Sequence, residues 1–97
     1  MAASVFKGES RVLKALANES RLLIIDRLSR GPCTVGELRD LVGSDQSTVS
    51  KHLALLRAVG MVEDRRDGAN VFYSLPDLGV LNVISSARQV LSARSWT

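Results

Sequence analysis

The sequence predicts a mainly α domain with one small β-hairpin, in the order of four helices, two strands and a last helix. Three observations carry that reading. Apolar residues recur at helical spacing in five segments, a capping residue or glycine punctuates most junctions, and the period switches to two only between Gly60 and Pro76. Ninety-seven residues, 45% of them apolar, suffice for a single domain spanning 1–97. A chain of this size buries only roughly two-thirds of its unfolded surface and is marginal alone, so apolar surface left over by the core is expected to meet a second copy.

The first helix covers roughly Ser4 to Ala17, with Phe6, Leu13, Leu16 and Ala17 at helical spacing and Lys7, Arg11 and Lys14 elsewhere on its circumference. Asn18 supplies an N-cap for the second helix, and Glu19 puts a negative charge where the helix dipole favours it. That helix runs to about Ser29 and is apolar on most sides through Leu22, Leu23, Ile24, Ile25 and Leu28. This marks it as the central core helix, and Gly31-Pro32 stops it. Thr34-Val35-Gly36-Glu37 then has the form of a capping box. Thr34 accepts from the Glu37 amide and Glu37 reaches back to Thr34, opening a short helix with Val35, Leu38, Leu41 and Val42 inward and Gly43 at its close. Ser44 caps a longer helix that reaches about Val59 and ends at Gly60. A short helix, a tight turn containing glycine and a longer amphipathic helix, together about 34–59, form the helix-turn-helix pattern.

Two strands follow, at Met61-Val62-Glu63 and Val71-Phe72-Tyr73-Ser74-Leu75, so that about 61–75 reads as a wing. Asp67-Gly68 signals the hairpin, and Arg65 and Arg66 are expected near its tip. The last helix, about 77–93, carries Val80, Ile84, Ala87 and Leu91 on one stripe, with Leu81, Val83 and Val90 widening it beyond what one small core needs.

Function is carried by the stretch Ser44 to Arg57. At roughly 100° per residue, Val49, Leu53 and Leu56 share one side, while Ser47, Thr48, Ser50 and Lys51 point away from it. Short hydroxyls permit close approach to a DNA groove, Gln46 can pair with adenine N6 and N7, and Lys51 can reach guanine or phosphate. An amphipathic helix on any surface would also turn polar residues outward; a wing bearing two arginines directly after the helix-turn-helix favours the DNA reading. Glu63, Asp64 and Asp67 lie close by, so one arginine could instead pair within the hairpin.

Composition narrows the alternatives. Thirteen Lys+Arg against ten Asp+Glu give a net charge of +3, compatible with nucleic acid without deciding for it. A single cysteine excludes an internal disulfide, no N-terminal segment resembles a signal peptide, and no apolar run is long enough for a membrane span, so a cytoplasmic, reduced protein is expected. Neither a phosphate-binding glycine loop nor a nucleophile triad is present, there is one histidine, and no enzyme activity or cofactor is implied. Four aromatics provide no stacking platform for single strands. The rival from another class is a winged-helix protein-interaction module.

In order, Leu16-Ala17-Asn18-Glu19-Ser20-Arg21-Leu22, Val35-Gly36-Glu37-Leu38, Gln46-Ser47-Thr48-Val49-Ser50-Lys51-His52-Leu53, Leu56-Arg57-Ala58-Val59-Gly60-Met61-Val62, and Arg66-Asp67-Gly68 with Val71-Phe72-Tyr73 resemble the ArsR/SmtB winged-helix repressors. The resemblance covers about Val12 to Leu75. It implies a cytoplasmic homodimer that places two winged helix-turn-helix units on an imperfect inverted repeat in a promoter. It also implies dimerisation through the first and last helices, here through Phe6, Leu13, Val80, Ile84, Ala87 and Leu91. By position it implies base contacts from Gln46, Ser47 and Ser50, with support from Thr48, Lys51 and His52 and from Arg65 and Arg66 in the wing, Arg66 foremost. His52 lies roughly 60° from the middle of the apolar side, so it either contacts DNA or is a partly buried ring that orients the helix.

The inducer sites of the family find no match. Thiophilic ions are held in some members by two cysteines near the start of the helix-turn-helix, positions that Thr34 and Gly36 occupy here, with Cys33 out of register by one residue. An Asp-x-His and His-x-x-Glu site on the last helix is reduced to Asp77 in Asp77-Leu78-Gly79, and Val90 to Arg94 offers neither histidine nor acid. No metal is therefore expected, and an inducer, if there is one, acts by another mode. Cys33 reads either as a small apolar plug beside the N-cap or as a thiol sensor, the latter requiring exposure and a pKa lowered by the helix N-terminus.

Overall fold

The computed structural model describes residues 5–94. Its elements follow in the order α1 (Lys7–Leu16), α2 (Glu19–Leu28), β1 (Cys33–Thr34), α3 (Val35–Val42), α4 (Gln46–Ala58), β2 (Glu63–Asp67), β3 (Asn70–Ser74) and α5 (Val80–Arg94). The architecture is mainly helical, as the periodicity predicts. The start of the first predicted helix, at Ser4, lies outside the described residues.

The core forms where the apolar stripes of three helices meet. Ile24, Ile25 and Leu28 of α2, Leu38 of α3, and Val49, Leu53 and Leu56 of α4 are buried together with Ala15, Leu16, Cys33, Met61 and Val62. Leu23, on the helix expected to be apolar on most sides, and Leu41, expected inward, are 39% and 40% exposed. Helices α2 and α3 each show one stripe to the core, and these two leucines fall off it.

Local hydrogen bonds set the helix starts. The Asn18 side chain accepts from the Arg21 amide at 3.1 Å and begins α2. The capping box of α3 is complete: the Thr34 amide donates to Glu37 Oε1 at 2.9 Å and the Glu37 amide to Thr34 Oγ1 at 3.2 Å. Asn18→Ala leaves the Arg21 amide without its partner and is expected to cost about 1 kcal/mol. That corresponds to roughly 4–8 °C in melting temperature for a domain of this size, read by thermal denaturation, whereas Asn18→Ser restores the cap and most of the loss.

The hairpin is displaced from its predicted position, and the reason lies at the end of α4. The Gly60 amide donates to Arg57 O and the Met61 amide to Leu56 O, each at 3.0 Å, with Gly60 at φ 79°. This is a Schellman closure. It spends Met61 and Val62 on ending the helix and plugging the core, so β2 begins at Glu63. The ladder then runs on to Asp67 opposite Asn70, closed by the two-residue turn Gly68-Ala69 with Gly68 at φ 64°. A third strand joins the predicted two: Cys33 pairs with Tyr73 and Thr34 with Phe72, giving an antiparallel sheet in the order β1-β3-β2. Helix α5 starts at Val80 rather than at Asp77, because the Asp77 carboxylate accepts from the Gly79 amide at 2.6 Å and turns the chain first.

Candidate nucleic-acid interface

Helix α3 packs on α4 through the turn Gly43-Ser44-Asp45. Gly43 ends α3 at φ 76°, a left-handed conformation that side chains with a Cβ resist. Asp45, not the predicted Ser44, is the N-cap of α4: its Oδ1 accepts from the Thr48 amide at 2.7 Å. Those hydrogen bonds from Thr48 hold the Asp45 carboxyl below the usual carboxylate range.

Helix α4 is anchored from behind by Val49, Leu53 and Leu56, each at most 1% exposed. In front, Gln46, Ser47, Ser50 and Lys51 are exposed, and Thr48 and His52 are half-buried. The outward face is thus built from small polar side chains and one cation on a rigidly seated helix.

Two arginines that the sequence reading did not assign to the site hold residues of this face. Arg39 of α3 donates through Nη1 to Gln46 Oε1 at 3.3 Å and through Nε to Asp40 Oδ1 at 3.2 Å. This engages the amide oxygen of Gln46 and leaves its NH₂ as the free donor end. Arg21 of α2 places Nη1 3.1 Å from Nδ1 of His52. Burial first, and Arg21 second, push His52 below its ordinary value of 6.5. A signal for Arg21 was present: it stands at i, i+3, i+4 and i+7 spacing with the buried Ile24, Ile25 and Leu28, a position where a charge must find partners.

The wing arginines are not at the tip. Arg65 and Arg66 lie within β2, opposite Phe72 and Val71, because the ladder extends to Asp67. Both are exposed, and as consecutive strand residues they point to opposite faces of the sheet. Neither has an ion-pair partner among the described residues; the hairpin carboxylate Asp64 pairs instead with Arg57 of α4 at 3.0 Å.

The residues expected to dimerise fall into two groups. Phe6, Leu13 and Leu91 are 69%, 55% and 50% exposed, and Ala87 is also exposed. Val80 and Ile84 are half-buried and pack against the core of their own chain. Leu13, Ile84, Ala87 and Leu91 line one open, apolar cleft of about 450 Å³ between α1, α2 and α5.

Cys33 is 1% exposed, and desolvation raises its thiol above the ordinary value despite the opposing charges of Arg27 and Arg30, with Glu37 adding to the rise. The thiol thus has neither the exposure nor the lowered pKa that a thiol sensor requires. Thr34 and Gly36 carry no thiol, and the Thr34 hydroxyl is engaged with Glu37. Among the described residues no cluster of three or more His, Cys, Asp or Glu could hold a metal ion, and no helix is long and apolar enough to cross a membrane.

Residues 18–64, which contain α2, the helix-turn-helix and the start of β2, match the model of the bacterial regulatory proteins of the arsR family. The HTH-type transcriptional regulator YgaV of Escherichia coli is 36% identical over 80 residues, 81% of this chain and 81% of its own. The chain belongs to the ArsR family. The nodulation protein NolR of Rhizobium meliloti is 40% identical over 78 residues, 80% of this ArsR-family chain, which spans 64% of that relative's length. A homodimeric winged helix-turn-helix DNA-binding domain from Mycobacterium bovis superposes with a TM-score of 0.80 at 31% identity, covering 96% of this chain and 86% of its own.

Proposed function

We propose that the protein is a sequence-specific regulator of transcription that binds double-stranded DNA as a homodimer and represses its own or a neighbouring operon in the cytoplasm. The observation that supports this most directly is the outward face of α4: Gln46, Ser47, Ser50 and Lys51 exposed on a helix anchored by the buried Val49, Leu53 and Leu56. Such a face can enter a major groove without clash and offers hydrogen-bonding groups to base edges. The exposed apolar residues of α1 and α5 meet a second copy, so two such helices address an imperfect inverted repeat with half-sites about one helical turn apart. In the wing, Arg66 and Arg65 serve phosphates or the adjacent minor groove, one on each face of the sheet. DNA occupancy is controlled by a route other than the family's metal-ligand sets.

Selection of bound duplexes from a random pool, followed by fluorescence anisotropy on the recovered duplex, tests the reading. Affinity is expected to fall by roughly 10³–10⁵ between 50 and 200 mM salt if the dimer makes about 6–10 phosphate contacts. Lys51→Ala and Arg66→Ala each weaken binding and flatten that slope by about one. A pool that yields no enriched duplex, or binding indifferent to salt, would favour the protein-interaction module instead.

A further inference from the structure

We propose that Arg21 and His52 are positioning residues that latch the recognition helix α4 to the end of α1 while His52 is neutral, and that a proton on His52 opens the latch. The inference rests on the reading of α4 as the DNA-contacting helix.

The guanidinium of Arg21 is divided between two elements. Its Nε donates to Ala15 O at 2.6 Å and its Nη2 to Lys14 O at 3.3 Å, and its Nη1 reaches His52 Nδ1 at 3.1 Å. Ala15 and Lys14 belong to the last turn of α1, where carbonyls carry the negative end of the helix dipole, a fitting seat for a cation; the Lys14 carbonyl also accepts from the Ala17 amide at 3.3 Å. One planar fork therefore joins α1 to α4 from its base on α2.

The chemistry of the contact fixes the protonation state. A guanidinium only donates, so Nδ1 must carry a lone pair, and the neutral ring holds its proton on Nε2. Protonating Nδ1 removes the acceptor and sets two cations at contact distance. From α2 the charge facing the ring is Arg21, from α1 the carbonyls of Lys14 and Ala15 are the groups that Arg21 occupies, with Lys14 the cation of that turn, and on α4 the next cation in the chain is Lys51. Among the described residues, the charge that acts on the ring is that of Arg21. Arg21 opposes an imidazolium, in agreement with the downward displacement of His52 from 6.5, of which burial is the larger cause. The unfolded chain thus binds this proton first. The stabilisation from neutral His52 is complete above about pH 6.5 and is lost as the pH falls through the lower folded value.

The test has two arms, and the first uses the free protein. Ring ¹⁵N and backbone amide spectra are followed across about pH 5–8, the range in which histidine titrates. His52 is expected to be the Nε2–H tautomer at neutral pH, to titrate below 6.5, and to carry the amides of Ala15 to Ala17 with the same midpoint. In His52→Gln, which keeps an acceptor for Arg21 but takes no proton, those amides stop responding. In Arg21→Met, which removes both the fork and the charge, the His52 midpoint rises part of the way toward 6.5, since burial, the larger cause, remains. An Nδ1–H tautomer, or α1 amides indifferent to the His52 midpoint, overturns the latch whatever the protein does with DNA.

The second arm measures affinity for the duplex recovered by selection. Below the His52 midpoint, wild-type affinity is expected to fall toward about tenfold per pH unit, relative to a His52→Gln reference. Binding that instead strengthens on acidification, with the gain lost in His52→Gln, would make His52 a phosphate contact and overturn the positioning role. If selection recovers no duplex, the DNA reading fails and the free-protein titration still decides the latch.

Discussion

Ser50→Glu is expected to lower affinity for the selected duplex by about 100-fold or more while leaving the melting temperature essentially unchanged. Ser50 is exposed on the outward face of α4, one residue from the fully buried Val49, so the substitution changes the face and not the anchor. In a groove flanked by phosphates the new carboxylate meets like charge and must shed water, and juxtaposed like charges cost several kcal/mol. About 3 kcal/mol corresponds to the stated loss. Ser50→Ala removes one hydroxyl and no more, so its effect is expected to stay near tenfold. The pair of variants separates charge from shape: anisotropy titrations at one fixed salt concentration decide it, and a Ser50→Glu protein that binds like wild type would show that this face does not enter the DNA.

The fold was legible where the determinants are local. Asn18 with the Arg21 amide, and Thr34 with Glu37, are interactions three residues apart, and both can be read directly from side-chain chemistry and spacing. The buried face of α4 was legible for the same reason, since Val49, Leu53 and Leu56 follow from helical geometry alone. What escaped depends on partners distant in the chain or on competition between local motifs. A strand of two residues has no period, so Cys33–Thr34 becomes visible only when Tyr73 and Phe72 arrive opposite it. Met61 and Val62 are plausible strand residues until the Schellman closure at Gly60 claims them, and that shift carries Arg65 and Arg66 from a loop into a strand.

The candidate site divides in the same way. Which residues of α4 face outward could be derived from periodicity, whereas what holds them could not, because Arg39 meets Gln46 across a turn and Arg21 meets His52 across 31 positions. Of the two readings of His52 left open by its angular position, the half-buried ring beside Arg21 fits the one in which it orients the helix. Its Nδ1 faces Arg21, and the half-buried ring keeps an Nε2–H donor.

Leu53→Ala is expected to produce the largest loss of stability, about 2–5 kcal/mol. Leu53 is 1% exposed and stands between Val49 and Leu56 on the side of α4 that faces Ile24, Ile25 and Leu38 in the core. Truncation removes three carbons' worth of burial and leaves a cavity that surrounding helices close only in part. Against a total of about 5–15 kcal/mol for a small domain, that is a large fraction. Urea denaturation at several protein concentrations gives the change, since a homodimer's apparent stability also moves with mass action and the comparison must be made at equal concentration. Leu55→Ala is the matched control: the same atoms are removed two residues further on, but Leu55 is 51% exposed, and the expected change is within about 0.5 kcal/mol. Leu53→Ala should also weaken DNA binding only in proportion to the unfolded fraction, so that affinity per folded molecule is preserved at low temperature. A loss of affinity in a fully folded Leu53→Ala protein would mean that seating depth of α4, and not its outward chemistry alone, sets recognition.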